Sequence, residues 1–120
     1  MTLSVRTEFQ LACGRRLTGV PADHPCARDH GHTFRVTVVC EGPLDPRTGF
    51  VVDFAEIQRA WAPIDDALDH RFLNDIPGLE NPTSERLAFW IFERLRPALP
   101  SLAELQIGET GNSSVRYRPD

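Results

Sequence analysis

The hydrophobic positions of this chain first follow the alternating period of β-strands. Apolar and polar side chains alternate over residues 4–12, and residues 32–40 are rich in β-branched side chains, so both segments are predicted to be strands. Residues 44–49 carry a turn signal and residues 50–52 look extended, which suggests an antiparallel hairpin with the preceding strand. Further strands are predicted at residues 102–109 and, after a turn at 111–114, at residues 115–117.

Two stretches instead follow the helical period, with apolar residues at spacings of three and four. Asp53 directly precedes the first of these predicted helices, and Glu56 lies three residues after Asp53. This pair resembles a capping box, although that motif prefers Ser or Thr at its first position. Pro63 is predicted to bend or split this helix. Thr83 can cap the second helix, which Pro97 stops. The apolar positions are Phe54, Ile57, Trp61, Ile64 and Leu68 in the first helix and Leu87, Trp90, Ile91 and Leu95 in the second.

The segments between these elements are irregular. Residues 13–29 contain glycines and prolines with little periodicity, and residues 71–82 are predicted to form a loop. Long loops within a small domain are usually functional or disordered. The order β, β, α, α, β, β lacks regular βαβ alternation, so we predict an α+β fold with an antiparallel sheet covered on one face by helices.

Composition narrows the class of protein. A chain of 120 residues with a net charge of −4 and no basic stripe is predicted to be a single domain that binds small molecules, with no nucleic-acid or membrane partner. The sequence has no apolar run near the roughly 20 residues of a membrane span and no signal-peptide core, so we expect a cytoplasmic protein. The three cysteines, an odd number without framework spacing, are predicted to be free thiols.

The densest group of chemically competent residues lies between residues 26 and 32. His30 and His32 alternate around Gly31, so in a strand both imidazoles leave the same face and can converge on one metal ion. Zinc sites normally take three or four protein ligands, so the pair alone is weak evidence, and solvated or hydrogen-bonded histidines are the alternative. Cys26 is either a small buried side chain or a nucleophile whose pKa is lowered by Arg28 and the histidines.

Two other groups of residues have both a functional and a purely structural explanation. In Asp69-His70 the carboxylate can orient the imidazole as a general acid or base, but a histidine near a helix C-terminus is also a favourable cap. Glu109 stands at the end of a predicted strand, where solvation is the default explanation.

Taken together, these residues resemble the 6-pyruvoyltetrahydropterin synthase superfamily over nearly the whole chain, and within it the bacterial 6-carboxytetrahydropterin synthases, particularly over residues 73–83. The matching motifs occur in the order found in that family. They are Cys26 with His30-Gly31-His32, Gly49-Phe50-Val51-Val52-Asp53-Phe54, Leu68-Asp69-His70-Arg71-Phe72-Leu73-Asn74, Asn81-Pro82-Thr83-Ser84-Glu85 and Glu109-Thr110.

The resemblance implies a fold and an activity. The fold would be the tunnelling fold, a four-stranded antiparallel sheet with two helices on one face, whose subunits join edge to edge into a homo-oligomeric barrel, hexameric or trimer-based. The activity would convert 7,8-dihydroneopterin triphosphate into 6-carboxy-5,6,7,8-tetrahydropterin with loss of triphosphate and acetaldehyde, as in queuosine biosynthesis.

The resemblance also assigns roles. His30 and His32 match two of three zinc ligands, and Cys26 matches the catalytic thiol. Asp69 and His70 match a proton-relay pair contributed across a subunit boundary. Glu109, which is followed by Thr110, matches the carboxylate that anchors the pterin ring.

One position departs from the pattern of the family. The third zinc histidine falls, by a gapless count, at Arg15, and a guanidinium has no lone pair to offer a metal. Three explanations follow: Cys13 or His24 supplies the third ligand, or the metal is absent and Arg15 binds a substrate carboxylate or oxyanion, or the site is inactive as a lyase. The alternatives to the synthase are therefore a metal-independent cyclase or lyase for a non-pterin substrate and a non-catalytic pterin-binding subunit.

Overall fold

The sheet has four antiparallel strands in the order β1-β2-β3-β4. In a computed structural model that describes residues 2–109 and 111–120, the strands are β1 (Leu3–Arg15), β2 (His30–Gly42), β3 (Leu102–Gly108) and β4 (Ser114–Tyr117). The helices α1 (Phe54–Leu68) and α2 (Ser84–Leu95) lie between β2 and β3 in the chain. The predicted α+β fold, with two helices on one face of a four-stranded sheet, is confirmed.

Pairing of β1 with β2 extends further than the hydrophobic pattern indicated. The register continues through Cys13 opposite His32 to Arg15 opposite His30. Because residues directly opposite in an antiparallel pair project from the same face, these four side chains share one face with the buried pair Leu11 and Phe34. The irregular segment predicted at residues 13–29 therefore begins only after Arg15.

The predicted hairpin between β2 and residues 50–52 is wrong. Over residues 35–40 both edges of β2 are already hydrogen-bonded, one to β1 and the other to β3, so no edge is left there for a third partner. Residues 50–52 instead close a turn, in which the Asp45 N–H donates to the Phe50 carbonyl at 2.8 Å.

Side-chain caps start both long helices, as predicted. The Asp53 carboxylate accepts a hydrogen bond from Ala55 N–H at 2.9 Å, and the Thr83 hydroxyl accepts one from Arg86 N–H at 3.1 Å. Pro63 lies inside α1 without splitting it. Its ring is on the exposed side of the helix, where the carbonyl that loses its N–H partner can be hydrated.

The core lies between the sheet and the helices. Most of the predicted helical core residues are buried, but Phe54 is 64% exposed, so its predicted place in the core is wrong. Among the residues described, none of the helices is both long and apolar enough to cross a membrane. The buried predicted residues are Ile57, Trp61, Ile64 and Leu68 in α1 and Leu87, Trp90, Ile91 and Leu95 in α2.

Candidate functional site

A buried arginine lies where β1 ends. The Arg15 side chain is only 3% exposed, and its Nη2 lies 3.0 Å from Glu109 Oε1. Its Nη1 donates to the Pro82 carbonyl at 3.0 Å, and the guanidinium lies over the Phe34 ring, 4.9 Å from the centroid. These contacts fix the guanidinium at the end of the buried sheet face.

Two further side chains contact the Glu109 carboxylate. His32 Nε2 lies 3.1 Å from the same Oε1 that Arg15 contacts, and the Ser84 hydroxyl donates to Oε2. Ser84 is the first residue of α2, so the carboxylate also lies at the positive end of that helix dipole. The three side chains around the carboxylate are contributed by β1, β2 and α2.

The Glu109 carboxyl has a pKa below its ordinary value of 4.5. Burial alone would raise this pKa, but the Ser84 hydrogen bond and the charges of Arg15 and His32 outweigh the burial. Glu109 is therefore a carboxylate at neutral pH, and Arg15 is its counterion.

The two histidines of β2 differ in how their rings are held. His30 Nδ1 lies 2.8 Å from the Arg28 carbonyl, so Nδ1 carries a proton and Nε2 keeps its lone pair. The His32 ring stacks on Phe34 at 4.8 Å, and its Nε2 is the atom that contacts Glu109. In the neutral His30 ring, Nε2 is therefore the nitrogen available to a metal, whereas in His32 the ring nitrogen without a hydrogen-bond partner is the buried Nδ1.

The two proposed substitutes for a third metal ligand have other partners. Cys13 is buried and its thiol donates to the Leu68 carbonyl at 3.2 Å, and burial together with Asp69 raises the pKa of this thiol to about 12. His24 Nδ1 accepts a hydrogen bond from Cys26 N–H at 3.0 Å. Neither residue is arranged as a ligand.

The residues as arranged do not fit a zinc ion. Over residues 2–109 and 111–120, no three or more His, Cys, Asp or Glu side chains form a group that could hold a metal, and a zinc site needs at least three protein ligands. His32 Nε2 is engaged by Glu109, and the permanent charge of Arg15 close by would repel a dication.

Asp69 and His70 form a directed pair at the edge of the sheet. Asp69 Oδ2 lies 2.7 Å from His70 Nδ1, while Asp69 Oδ1 accepts from Ala12 N–H at 2.9 Å. The Ala12 hydrogen bond, and after it the one from His70, lower the pKa of the Asp69 carboxyl. In the neutral imidazole this contact places the proton on Nδ1 and leaves the lone pair on Nε2.

His70 is held in an unusual backbone conformation. Its φ is 59°, in the left-handed region that residues other than glycine rarely adopt. The His70 N–H donates to the Ala12 carbonyl at 2.6 Å, and Gly14 N–H donates to the Arg71 carbonyl at 2.9 Å. These bonds to the edge of β1 hold the strained residue, whose side chain is 81% exposed.

The histidines share one open cavity. A space of about 910 Å³ is lined by His30, His32 and His70, with Gly14 and Phe72 in its wall. The structure thus brings together the candidate acid–base residue and both histidines of β2. Glu109 and Ser84 line a separate, smaller cavity of about 190 Å³.

Cys26 does not line the histidine cavity. It lies in a single 3-10 turn, Pro25–Ala27, and its carbonyl accepts from Leu17 N–H at 2.7 Å. All three cysteines are free thiols, as predicted. Thr110, the other predicted contact of the pterin ring, lies outside the described residues.

Sequence reasoning missed the residues that anchor the segment carrying Cys26. Asn74 Oδ1 accepts from Arg16 N–H at 2.9 Å, and Asn74 Nδ2 donates to the carbonyls of Arg16 at 2.8 Å and Glu80 at 3.2 Å. Asn81 Oδ1 accepts from Thr18 N–H at 3.0 Å. Both asparagines belong to motifs quoted above, residues 68–74 and 81–85, but these motifs do not indicate partners so far away in the chain.

A family model described as 6-pyruvoyl tetrahydropterin synthase matches residues 3–120. A 6-carboxy-5,6,7,8-tetrahydropterin synthase of Synechocystis sp. is 41% identical over 98 residues, 77% of this chain and 76% of that protein. A dihydroneopterin monophosphate aldolase of Pyrococcus furiosus is 43% identical over 77 residues, 64% of each. The fold resembles that of the Caenorhabditis elegans 6-pyruvoyl tetrahydropterin synthase with a TM-score of 0.91 and 24% identity, covering 100% of this chain and 97% of the other.

Proposed function

Because the chain belongs to the 6-pyruvoyl tetrahydropterin synthase family, we propose that it is a lyase that cleaves the side chain of 7,8-dihydroneopterin triphosphate or a closely related compound. One water would be consumed for each substrate cleaved, and the products would be 6-carboxy-5,6,7,8-tetrahydropterin, triphosphate and acetaldehyde. The observation that carries the proposal is the Asp69-His70 pair, because a directed imidazole with a free, exposed Nε2 is suited to moving protons at carbon.

In this proposal the acid–base work is divided between two residues. His70 Nε2 takes a proton from a carbon of the substrate side chain, and the Asp69 carboxylate stabilises the imidazolium that forms. Cys26 supplies or removes a proton at a second carbon of the substrate side chain. Glu109 anchors the ring, since a carboxylate can accept two hydrogen bonds from an aminopyrimidine edge.

We propose that this lyase works without a resident zinc ion. The observation in support is the buried Arg15, which places a permanent positive charge beside His32 and Glu109. No step of the reaction is therefore assigned to a metal.

We further propose that the active enzyme is a homo-oligomeric barrel in the reducing cytoplasm. The strands β1 and β4 stand at the two edges of the sheet, and edge strands present backbone groups that pair readily with another chain. Cys26 and His70 would then meet at a subunit boundary. If so, mixing inactive Cys26→Ala and His70→Asn subunits by joint refolding restores part of the activity, whereas inactivity of the mixture contradicts a shared site.

A variant series tests the acid–base assignment. His70→Asn removes the imidazole but keeps a side chain that tolerates the left-handed backbone, so it separates loss of chemistry from loss of folding. We expect kcat for acetaldehyde release to fall by about 100-fold or more. Asp66→Asn, at an exposed position of α1, serves as the matched control and leaves kcat unchanged. Full activity of His70→Asn would refute the assignment.

One observation favours a second candidate function, a metal-independent cyclase or lyase for a non-pterin substrate. The Glu109 oxygens already accept hydrogen bonds from Arg15 and Ser84 and lie against His32, so a pterin has to compete with these side chains for the carboxylate. Turnover of a different substrate that depends on His70, with none of dihydroneopterin triphosphate, would decide for this candidate.

A further inference from the structure

We propose that Arg15 is a positioning residue that acts through Glu109, holding the carboxylate in the orientation in which it binds the N–H edge of a ligand such as an aminopyrimidine. The inference rests on the proposed function, in which Glu109 anchors the ligand. It adds a role for a residue that stands where the resemblance places a metal ligand.

The two side chains that donate hydrogen bonds to Glu109, Arg15 and Ser84, differ in how firmly they are held. Arg15 is almost fully buried and bridges two acceptors, with Nη1 on the Pro82 carbonyl and Nη2 on Glu109 Oε1. The Phe34 ring lies beside the guanidinium. Ser84, by contrast, contributes a hydroxyl that rotates, so its hydrogen bond can be given up without moving the backbone.

The acceptor capacity of Glu109 decides which donors a ligand must replace. A carboxylate offers about four lone-pair positions. Arg15 and Ser84 occupy two of them with hydrogen bonds, and His32 Nε2 lies 3.1 Å from Oε1, where it crowds a third. If the ligand displaces His32 and Ser84, three positions become free, and a pair of N–H groups needs only two of them. Arg15 can therefore stay in place when the ligand binds.

The form of the side chain at position 15 supports a positioning role. A guanidinium presents several N–H groups in a rigid plane and can bridge Pro82 and Glu109 at once, whereas a lysine ammonium acts as a single point charge. The two ends of the bridge lie 67 and 94 residues away from Arg15 in the chain. Arg15 thus fixes the carboxylate relative to the loop that precedes α2.

A double-mutant cycle tests this proposal. Wild type, Arg15→Met, Glu109→Gln and the double variant are titrated with neopterin, and lumazine, which lacks the 2-amino group, serves as the control ligand. We expect Arg15→Met to weaken neopterin binding about tenfold in the wild-type background and by no more than about twofold when Glu109 is already Gln. In turnover, KM should rise while kcat changes little. Lumazine binding should change much less than neopterin binding.

The outcomes separate this proposal from the proposed function. Additive losses in the cycle would overturn the positioning role while leaving Glu109 as the anchor. If wild-type protein binds no neopterin, both proposals fall together. If Arg15→Met does not fold, as judged by circular dichroism, the cycle is run with Arg15→Lys, which keeps the charge but loses the two-point bridge. Neopterin binding by that variant equal to wild type would also overturn the proposal.

Discussion

Asn74 offers a quantitative test of how the segment carrying Cys26 is held. Its side chain makes three hydrogen bonds, two to the backbone of Arg16 and one to the Glu80 carbonyl. Asn74→Ala removes all three. Asn74→Asp keeps the acceptor but turns a carboxylate oxygen toward two carbonyls, so we expect it to be at least as harmful.

The magnitude follows from the number of bonds and their exposure. A hydrogen bond contributes about 0.5–1.5 kcal/mol net, and these lie near the surface, where released groups can reach water. Asn74→Ala should therefore lower the free energy of unfolding by about 1.5–3 kcal/mol. Asn81→Ala removes one bond, to Thr18 N–H, and should cost about 0.5–1 kcal/mol. Asn112→Ala, in an exposed turn, is the matched control with little effect.

The assay is urea unfolding at a fixed protomer concentration, since any assembly makes the midpoint concentration-dependent. Native-state alkylation of Cys26 is measured beside it. Cys26 is linked to the anchored segment through Leu17, so its alkylation rate should rise in Asn74→Ala and remain at the wild-type rate in Asn112→Ala. An unfolding free energy of Asn74→Ala equal to that of the control would show that this account of the segment is mistaken.

The remaining predictions concern two single residues, Cys13 and Gly78. Cys13 is buried and the pKa of its thiol is raised to about 12, so under native conditions iodoacetamide should modify Cys26 and spare Cys13. Because the unfolded thiol ionises near pH 9, the stability that Cys13 contributes should be lost as pH rises from about 9 toward 12, and a Cys13→Ala variant should lack that loss. Gly78 has φ +92° and an added Cβ would lie 3.1 Å from Trp90, so Gly78→Ala should destabilise by about 1–3 kcal/mol. Gly111→Ala is the control, because Gly111 has φ +81° and open space around it, so that this variant shows the backbone cost alone. An equal loss of unfolding free energy in the two variants would mean that the Trp90 contact costs nothing.

Most of the fold could be predicted from the spacing of apolar residues, because the residues at these spacings are the ones that are buried in the structure. The caps at Asp53 and Thr83 and the buried faces of both helices were read from neighbouring residues alone. The predicted hairpin at residues 50–52 was wrong because strand pairing depends on which edge of β2 is free. That edge is occupied by β3, which lies 60 or more residues further along the chain.

The site was predictable only in part, for a related reason. The sequence drew attention to Arg15, but its partner Glu109 lies 94 residues further along the chain, and no local pattern joins the two. The same holds for Asn74, whose amide binds backbone 58 residues earlier. Hydrogen bonds of this kind depend on side-chain orientation, which spacing does not report.

The central claim, a pterin lyase that works without zinc, is tested most directly by turnover of metal-stripped protein. After chelation and removal of the chelator, the chain is incubated with 7,8-dihydroneopterin triphosphate, and bound metal, acetaldehyde and triphosphate are quantified. The account predicts equal amounts of the two products at a rate that added zinc does not change, from protein that holds far less than one zinc per chain. Loss of turnover on chelation with recovery on adding zinc, or no turnover in either state, would contradict it.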